Sequence, residues 1–396
     1  MKERAAAQRV PPRCRHHAEC GGCGLQDVPY PAQLRMKQRR LEALLRAAMG
    51  RHAPRVLPML AMPVGPDGMP WGFRHKVAFV FGPAPDGRGL VMGHFARGTG
   101  RIVPVQECPV HSERGNRIAF ALRDRLAAAG GVARHVIVRT TADQSTAVAM
   151  LVVSRNAPSL RAPLRALLGS RDRPEGLLLN VHDRPGPFMV GPETRRLAGS
   201  EHVVEDALGP EFLASPASFF QTNVVAAGIL LRLVAEALPA QRALRILDLY
   251  SGGGLFAIDL ARRGHRVTAV EESREAIRDA AENRRRNGVS EPRLRLIRAR
   301  VEEAVVRLRG RFDAVVLDPP RQGCPRAVLE AVGARLRPRR IVYVSCAPEA
   351  LARELAQLAR LRYASRPVQP VDMFPHTPHI EAVAVLDVTL SSHLKR

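Results

Sequence analysis

The sequence predicts an α/β protein whose C-terminal part is a doubly wound parallel sheet, on three observations. Beyond Ser215, apolar runs of strand length alternate with helical stretches. The first of these runs ends in the glycine cluster of residues 248–254, Asp-Leu-Tyr-Ser-Gly-Gly-Gly. Asp248, Glu271, Asp318 and Cys346 all fall at or just beyond the carboxyl ends of such runs, where open α/β sheets bind their ligands, so these residues are expected to act together.

In chain order, residues 1–54 carry Cys14, Cys20 and Cys23 and then a stretch in which Leu34, Leu41, Leu44 and Leu45 recur at helical spacing. Residues 55–209 read as short strands at 75–82, 89–95, 101–105, 135–141 and 146–154, around a helix at 116–130. Glycines and prolines punctuate them, which predicts a mixed α/β central domain. Residues 210–396 supply the alternating part: strand 242–250, helix 255–264, strand 266–273, a helix through the arginine cluster of 281–300, strand 311–318, another helix, and strand 339–346.

The chain has 396 residues, 46% of them hydrophobic, enough for a sizeable core and two or three domains. Lysine and arginine number 61 against 37 acidic residues, a formal net charge of +24 that favours a polyanionic partner. Lysine occurs only at positions 2, 37, 76 and 395, so a general arginine bias explains part of the surplus. Two clusters add to it: Ala281–Arg300 holds seven arginines, and Arg35–Arg51 is a second basic run. Either could equally be a solvated helix face. No uncharged apolar stretch of about 18 residues exists, and the first residues lack the apolar core of a signal peptide. A soluble, cytoplasmic monomer without membrane contact is the expectation. Six cysteines in such a protein suggest metal binding or catalysis rather than disulfides.

The glycine cluster lets backbone approach a ligand, and Glu271, ending the second strand, is placed to accept both hydroxyls of a ribose. Leu255, Phe256 and Ala257 follow Gly254 directly, so the GxGxxG fingerprint of a pyrophosphate cofactor is missing. S-adenosylmethionine therefore fits better than NAD. Asp318-Pro319-Pro320-Arg321 forms an irregular loop whose carboxylate can face the cleft, or else a plain surface turn. Cys346 could be a buried filler. At a strand's open end it has a chemical use: C5 of uracil cannot attack a methyl sulfonium unaided, and thiolate addition at C6 makes C5 enolate-like. A base must then remove the C5 hydrogen so that the thiol can leave, and Glu381, at the start of the last apolar run, is placed for that.

The segments CRHHAECGGCGLQ, YPAQLRMKQ, SFFQTN, DLYSGGG, VEES, LDPPRQG, VSCAP and HIEAVAVL, in that order over most of the chain, resemble the RNA 5-methyluridine (uracil-C5) methyltransferases. The resemblance implies a doubly wound, Rossmann-like methyltransferase domain, a mixed α/β central domain that binds RNA, and an N-terminal iron–sulfur segment. It implies Cys346 as nucleophile and Glu381 as base, with Gln221, Tyr250, Glu271 and Asp318 around cofactor and target. Ser251, Gly253 and Leu255 depart from the family's usual glycine loop, which touches only details of cofactor contact. Cys14, Cys20, Cys23 and Cys108 offer four thiolates, enough for a four-iron cluster or a tetrahedral zinc. Spacing does not separate the two, and His16, His17 and His111 keep zinc open. Resemblance to the cluster-bearing members favours four iron and four sulfide (4Fe-4S) and large-subunit 23S ribosomal RNA as substrate, with tRNA as the alternative. The β-barrel that precedes the cysteines in some relatives is not expected, since thirteen residues precede Cys14. Grip on RNA then falls to the central domain and the arginine clusters, with Phe219 and Phe220 as candidates to stack on a flipped base or to pack in the core. Three other readings are weaker. A cytosine-C5 enzyme would carry a further cysteine directly after a proline of its target loop, whereas Cys324 lies six positions past Asp318. An adenine-amino methyltransferase needs no thiol. A silent RNA-binding metal protein would not need Cys346, Glu381 and Asp318 together.

Overall fold

A computed structural model describes residues 9–84, 89–126, 131–184, 189–239 and 243–389. The end of the helix expected at 116–130, and most of the N-terminal stretch read for a signal peptide, lie outside these residues.

A long helix α1 (Tyr30–Met49) follows the cysteine segment, with proline in its first turn, and it stops at Gly50, which sits at φ +58, a conformation that favours glycine. Next comes a seven-stranded mixed sheet built from β1 (Lys76–Pro83), β2 (Leu90–Phe95), β3 (Ile102–Pro104), β4 (Ala133–Thr140), β5 (Ala147–Val153), β6 (Gly176–Val181) and β7 (Glu193–Gly199). Its order is β3-β2-β1-β4-β5-β6-β7, with α2 (Glu113–Leu126) and α3 (Arg161–Leu168) as its helices. A short hairpin, β8 (Val203–Glu205) with β9 (Phe212–Ala214), leads on to α4 (Val224–Glu236). Asn223 caps α4, its side chain accepting from the Ala226 N–H at 3.1 Å.

The second sheet is the doubly wound one. Its parallel strands are β10 (Arg245–Leu249), β11 (Arg266–Glu271), β12 (Leu294–Arg298), β13 (Ala314–Leu317) and β14 (Arg340–Ser345). They alternate with α5 (Leu255–Arg262), α6 (Arg274–Arg286), α7 (Val301–Arg307), α8 (Arg326–Glu330, continued by one π-helical turn) and α9 (Pro348–Arg360). β15 (Tyr363–Ser365) and β16 (Gln369–Val371) both pair antiparallel with β17 (Glu381–Val388), which in turn runs antiparallel to β14. The order β12-β11-β10-β13-β14-β17-β15 reverses at β10, which puts a ligand crevice beyond the carboxyl ends of β10 and β13. The Rossmann-like α/β class is therefore what the chain adopts.

The sequence expectation for 281–300 needs correction. The helix ends at Arg286, because Gly288 takes φ +63 and Pro292 lacks the amide that a continuing helix needs; Leu294 and Leu296 then begin the edge strand β12. Its helical arginines also have intramolecular partners: Arg285 pairs with Glu282, Arg286 with Glu211, and Arg284 with Glu291 and the Leu294 carbonyl. Strands β6 and β7 and helices α3, α4 and α7 were not anticipated. The first two lie in a region without clean alternation: β6 is buried almost throughout, and β7 is an exposed edge.

One apolar cluster runs from Ile137, Val148 and Met150 of the first sheet through Phe212 and Leu230 to Val316 and Val344 of the second. Helix α1 packs on the other side of the second sheet, with Leu41 and Leu45 fully buried beside Tyr343, Leu351 and Leu355. It also buries Lys37, 2% exposed, against Asp372, 0% exposed, in an ion pair. Removing one member of such a pair leaves an uncompensated buried charge. Lys37→Met is therefore expected to lower unfolding stability by about 3–5 kcal/mol, read as a fall in the urea midpoint; a midpoint unchanged from wild type would contradict this.

Candidate active site at the strand ends

Strand pairing brings the predicted chemistry together. Ser345 of β14 pairs with Ala382 of β17, and one further step in the same register sets Cys346 across from Glu381. β13 lies on the other side of β14, with Leu317 opposite Tyr343, so Asp318 emerges beside them both. Glu381 is 4% exposed, not the surface residue that a strand-initial glutamate usually is. Burial first, and then the charge of Asp318, push its carboxyl well above the usual range, with Arg321 opposing. Asp318 is half-buried as a residue, and burial pushes its carboxyl up to about 7. Cys346 is pushed up to about 11, by burial first and then by Glu381 and Asp318.

A raised thiol pKa means that the protonated form dominates at neutral pH, so thiolate chemistry should grow as pH rises. Alkylation of Cys346 by iodoacetamide in the free protein, followed by peptide mass spectrometry, is expected to accelerate about tenfold per pH unit between 7 and 10. A rate already flat above pH 8 would mean that the thiol is not held protonated.

The glycine loop shows the features of a ligand cradle. Tyr250, a non-glycine residue, sits at φ +63 at the end of β10, and Gly252 and Gly254 at φ +53 and +88. A Cβ on Gly252 would meet nothing within 4 Å, so that edge of the loop faces open space. Glu271 ends β11 and accepts from the Gly252 N–H at 3.0 Å and the Ser273 N–H at 2.8 Å. Asp248 is fully buried with no well-formed hydrogen-bond partner, and burial, then Asp318, raises its carboxyl well above the usual range. These features suit a cofactor with ribose hydroxyls and a cationic centre: acceptors at the strand ends, and no phosphate loop.

Gln221 lies in the segment 218–222, which the first sheet holds by its backbone. Arg139, 1% exposed, donates to the carbonyls of Phe220 at 3.0 Å and Gln221 at 3.3 Å, and Lys76 donates to the Ser218 carbonyl at 3.1 Å. Sequence reading missed both residues, since a cation inside an apolar strand gives no signal of what it reaches. The structure separates the two neighbouring phenylalanines: Phe220 is core, 8% exposed, and Phe219 is 76% exposed. Cys324 is buried, with its sulfur 3.8 Å from the Tyr250 hydroxyl.

Cys14, Cys20, Cys23 and Cys108 line one small cavity of about 50 Å³, together with Arg74, His94 and His111. Burial raises the thiols of Cys14, Cys23 and Cys108, and the neighbouring cysteines add to the shift in each. Four thiolates gathered in a buried site need a compensating cation, so the donor set fits a metal centre. Among the described residues, His94, Cys108 and His111 are the group whose donor atoms lie within 4.8 Å of one another. His94, not singled out from the sequence, joins the site because β2 pairs beside β3, just before Cys108.

A profile of the tRNA (uracil-5-)-methyltransferase family matches residues 211–389. An uncharacterized RNA methyltransferase of Gloeobacter violaceus is 35% identical over 395 residues, covering 97% of this chain and 84% of its own length. Another, from Geobacter sulfurreducens, is 33% identical over 397 residues, covering 96% of this chain and 78% of its own. The crystal structure of the tRNA (uracil-54, C5)-methyltransferase of Pyrococcus abyssi, in complex with S-adenosyl-L-homocysteine, matches with a TM-score of 0.76 at 28% identity, over 92% of this chain and 85% of that one. Among the described residues no helix is long and apolar enough to cross a membrane.

Proposed function

Because the chain belongs to the (uracil-5-)-methyltransferase family of S-adenosylmethionine-dependent RNA methyltransferases, we propose that it methylates C5 of a uridine through a covalent adduct of Cys346, with Glu381 as the closing base. The observation that carries this reading is the β14–β17 register, which brings the Cys346 thiol near enough to Glu381 and Asp318 to feel both charges. The Cys346 thiolate adds to C6 of the uracil, and the ring electrons move to make C5 nucleophilic. The cofactor supplies an electrophilic methyl group, which C5 takes. Glu381 then removes the C5 hydrogen as a proton, the C5=C6 bond re-forms, and the thiolate leaves. A carboxyl raised by burial is a stronger base once ionised, and Asp318 beside it holds the pair's remaining charge or proton.

Gln221, Tyr250, Glu271 and Asp318 hold the cofactor and the target base in this reading, with Glu271 on the ribose hydroxyls. Residues 1–54, 55–209 and 210–396 serve as metal segment, RNA-binding domain and methyltransferase domain, in a cytoplasmic monomer. Cys14, Cys20, Cys23 and Cys108 hold a 4Fe-4S cluster. Four thiols lining one buried cavity support the cluster, while His94 and His111 beside Cys108 keep zinc as the alternative. The positive charge and the cysteine set support large-subunit rRNA as substrate. A second reading, tRNA, is favoured by the likeness to the Pyrococcus enzyme.

Mass spectrometry of 5-methyluridine in 23S rRNA and in tRNA, from cells with and without the gene, tests both. Loss of the nucleotide from one RNA class assigns the substrate, and loss from neither overturns the function. Iron and zinc contents of anaerobically purified protein test the cluster: about four irons are expected, and stoichiometric zinc without iron overturns it.

A further inference from the structure

We propose that Arg74 is the counter-cation of the four-cysteine centre, its guanidinium donating to the metal-bound sulfurs and offsetting their negative charge. The inference rests on Cys14, Cys20, Cys23 and Cys108 holding a metal. Ligating thiols are deprotonated, so a centre with four of them keeps a net negative charge around a 4Fe-4S core and around a single zinc ion alike. Negative charge in a buried site is tolerated where donors and a cation lie beside it.

Arg74 comes two residues before β1, and its backbone is fixed on the Cys108 loop. The Arg74 N–H donates to the Val110 carbonyl at 2.9 Å, and the Arg74 carbonyl accepts from the Ser112 N–H at 2.8 Å, a parallel bridge to His111. Phe73 and His75 on either side are buried. The Arg74 side chain lines the same small cavity as the four cysteines. Its charge reaches Cys23 and Cys108, whose thiols it lowers against the upward push of burial.

The fold supplies the guanidinium with no acid. Arg74 is half-buried, its Nε is buried without a hydrogen-bond partner, and among the described residues no carboxylate pairs with it. Glu107 also lines the cavity, but it pairs with Arg15 at 3.4 Å. Arg134 and Arg139, whose Nε atoms are likewise unpartnered, reach backbone carbonyls through their terminal nitrogens. No such bond of Arg74 exists among the described residues. A fork of donors that stays charged, left unmatched beside four sulfurs, is suited to sulfurs that carry negative charge.

The test compares the full-length wild type with Arg74→Met, which keeps much of the stem's volume without the charge, and Arg74→Lys, which keeps the charge; all are purified anaerobically. Arg74→Gln replaces the methionine variant if that one does not fold. Iron and zinc contents of the wild type judge the premise separately, and absence of both removes the metal centre itself. In iron-loaded protein an added electron makes the centre more negative, and the net charge and hydrogen bonds at the sulfurs set its potential. Arg74→Met is expected to shift the one-electron reduction equilibrium about tenfold toward the oxidised form, a potential lower by about 59 mV, read by electron paramagnetic resonance during a redox titration. Arg74→Lys should stay closer to wild type than to Arg74→Met. If the protein holds zinc, the cluster reading fails and the same ordering is read as the rate of metal release to a chelator, faster from Arg74→Met than from Arg74→Lys or wild type. Equal values in Arg74→Met and wild type, or equal changes in Arg74→Met and Arg74→Lys, overturn the proposal. An unchanged centre with RNA binding that is weaker and less salt-dependent in Arg74→Met also overturns it, since the guanidinium would then serve a phosphate.

Discussion

Glu381→Gln is expected to stop multiple turnover while leaving the enzyme attached to its product. Thiol addition at C6 and methyl transfer to C5 both precede the step that needs a base, so glutamine permits them and blocks the exit. Removing a general base costs about 10²–10⁴-fold, and here the whole cost falls on the last step. A methylated RNA–protein species resistant to denaturing electrophoresis should build up to one per active site. pH should move the same step in the wild type. Burial and Asp318 raise the Glu381 carboxyl well above its usual range, so as pH is lowered its ionised fraction falls at a higher pH than an ordinary glutamate's would. Adduct should then persist longer at low pH. Normal turnover by Glu381→Gln, or release of adduct insensitive to pH, would remove Glu381 from the role.

Cys346→Ala is expected to have the opposite signature and the larger effect. Without the thiol, C5 is never activated, so methyl transfer should fall by roughly 10⁴-fold or more and no covalent species should form, even combined with Glu381→Gln. RNA binding should survive, because Cys346 is one partly buried side chain at a strand end and the charged surface is untouched. A filter-binding titration beside a tritiated-methyl assay checks both halves. Retained methylation in Cys346→Ala would end the thiol-addition mechanism and with it the uridine-C5 reading.

Much of this site could be read from the sequence for a physical reason. In a doubly wound sheet, chemistry sits where apolar strands end, and an apolar run followed by glycine, proline or an acid is visible in one dimension. Asp248, Glu271, Asp318 and Cys346 were found that way, and the α/β class with them. Cys14, Cys20 and Cys23 suggest metal binding by their spacing, and the fold brings Cys108 to the same small cavity.

Tertiary structure decided what depends on the partner across a gap. Glu381 is placed for the base by the last apolar run, but its burial comes only when β17 pairs with β14. Lys37 reads as part of a basic helix face until α1 docks and buries it on Asp372, 335 residues away. Phe219 and Phe220 are indistinguishable as letters, and only the fold turns one outward and one into the core. The arginines of α6 look free to meet RNA, yet the fold supplies Glu211, Glu282 and Glu291 to them. Local pattern reports which face of an element is apolar, because that follows from backbone period alone. Burial of a charge and the shift of a carboxyl or thiol each arise from groups far apart in the chain, and no local pattern carries them.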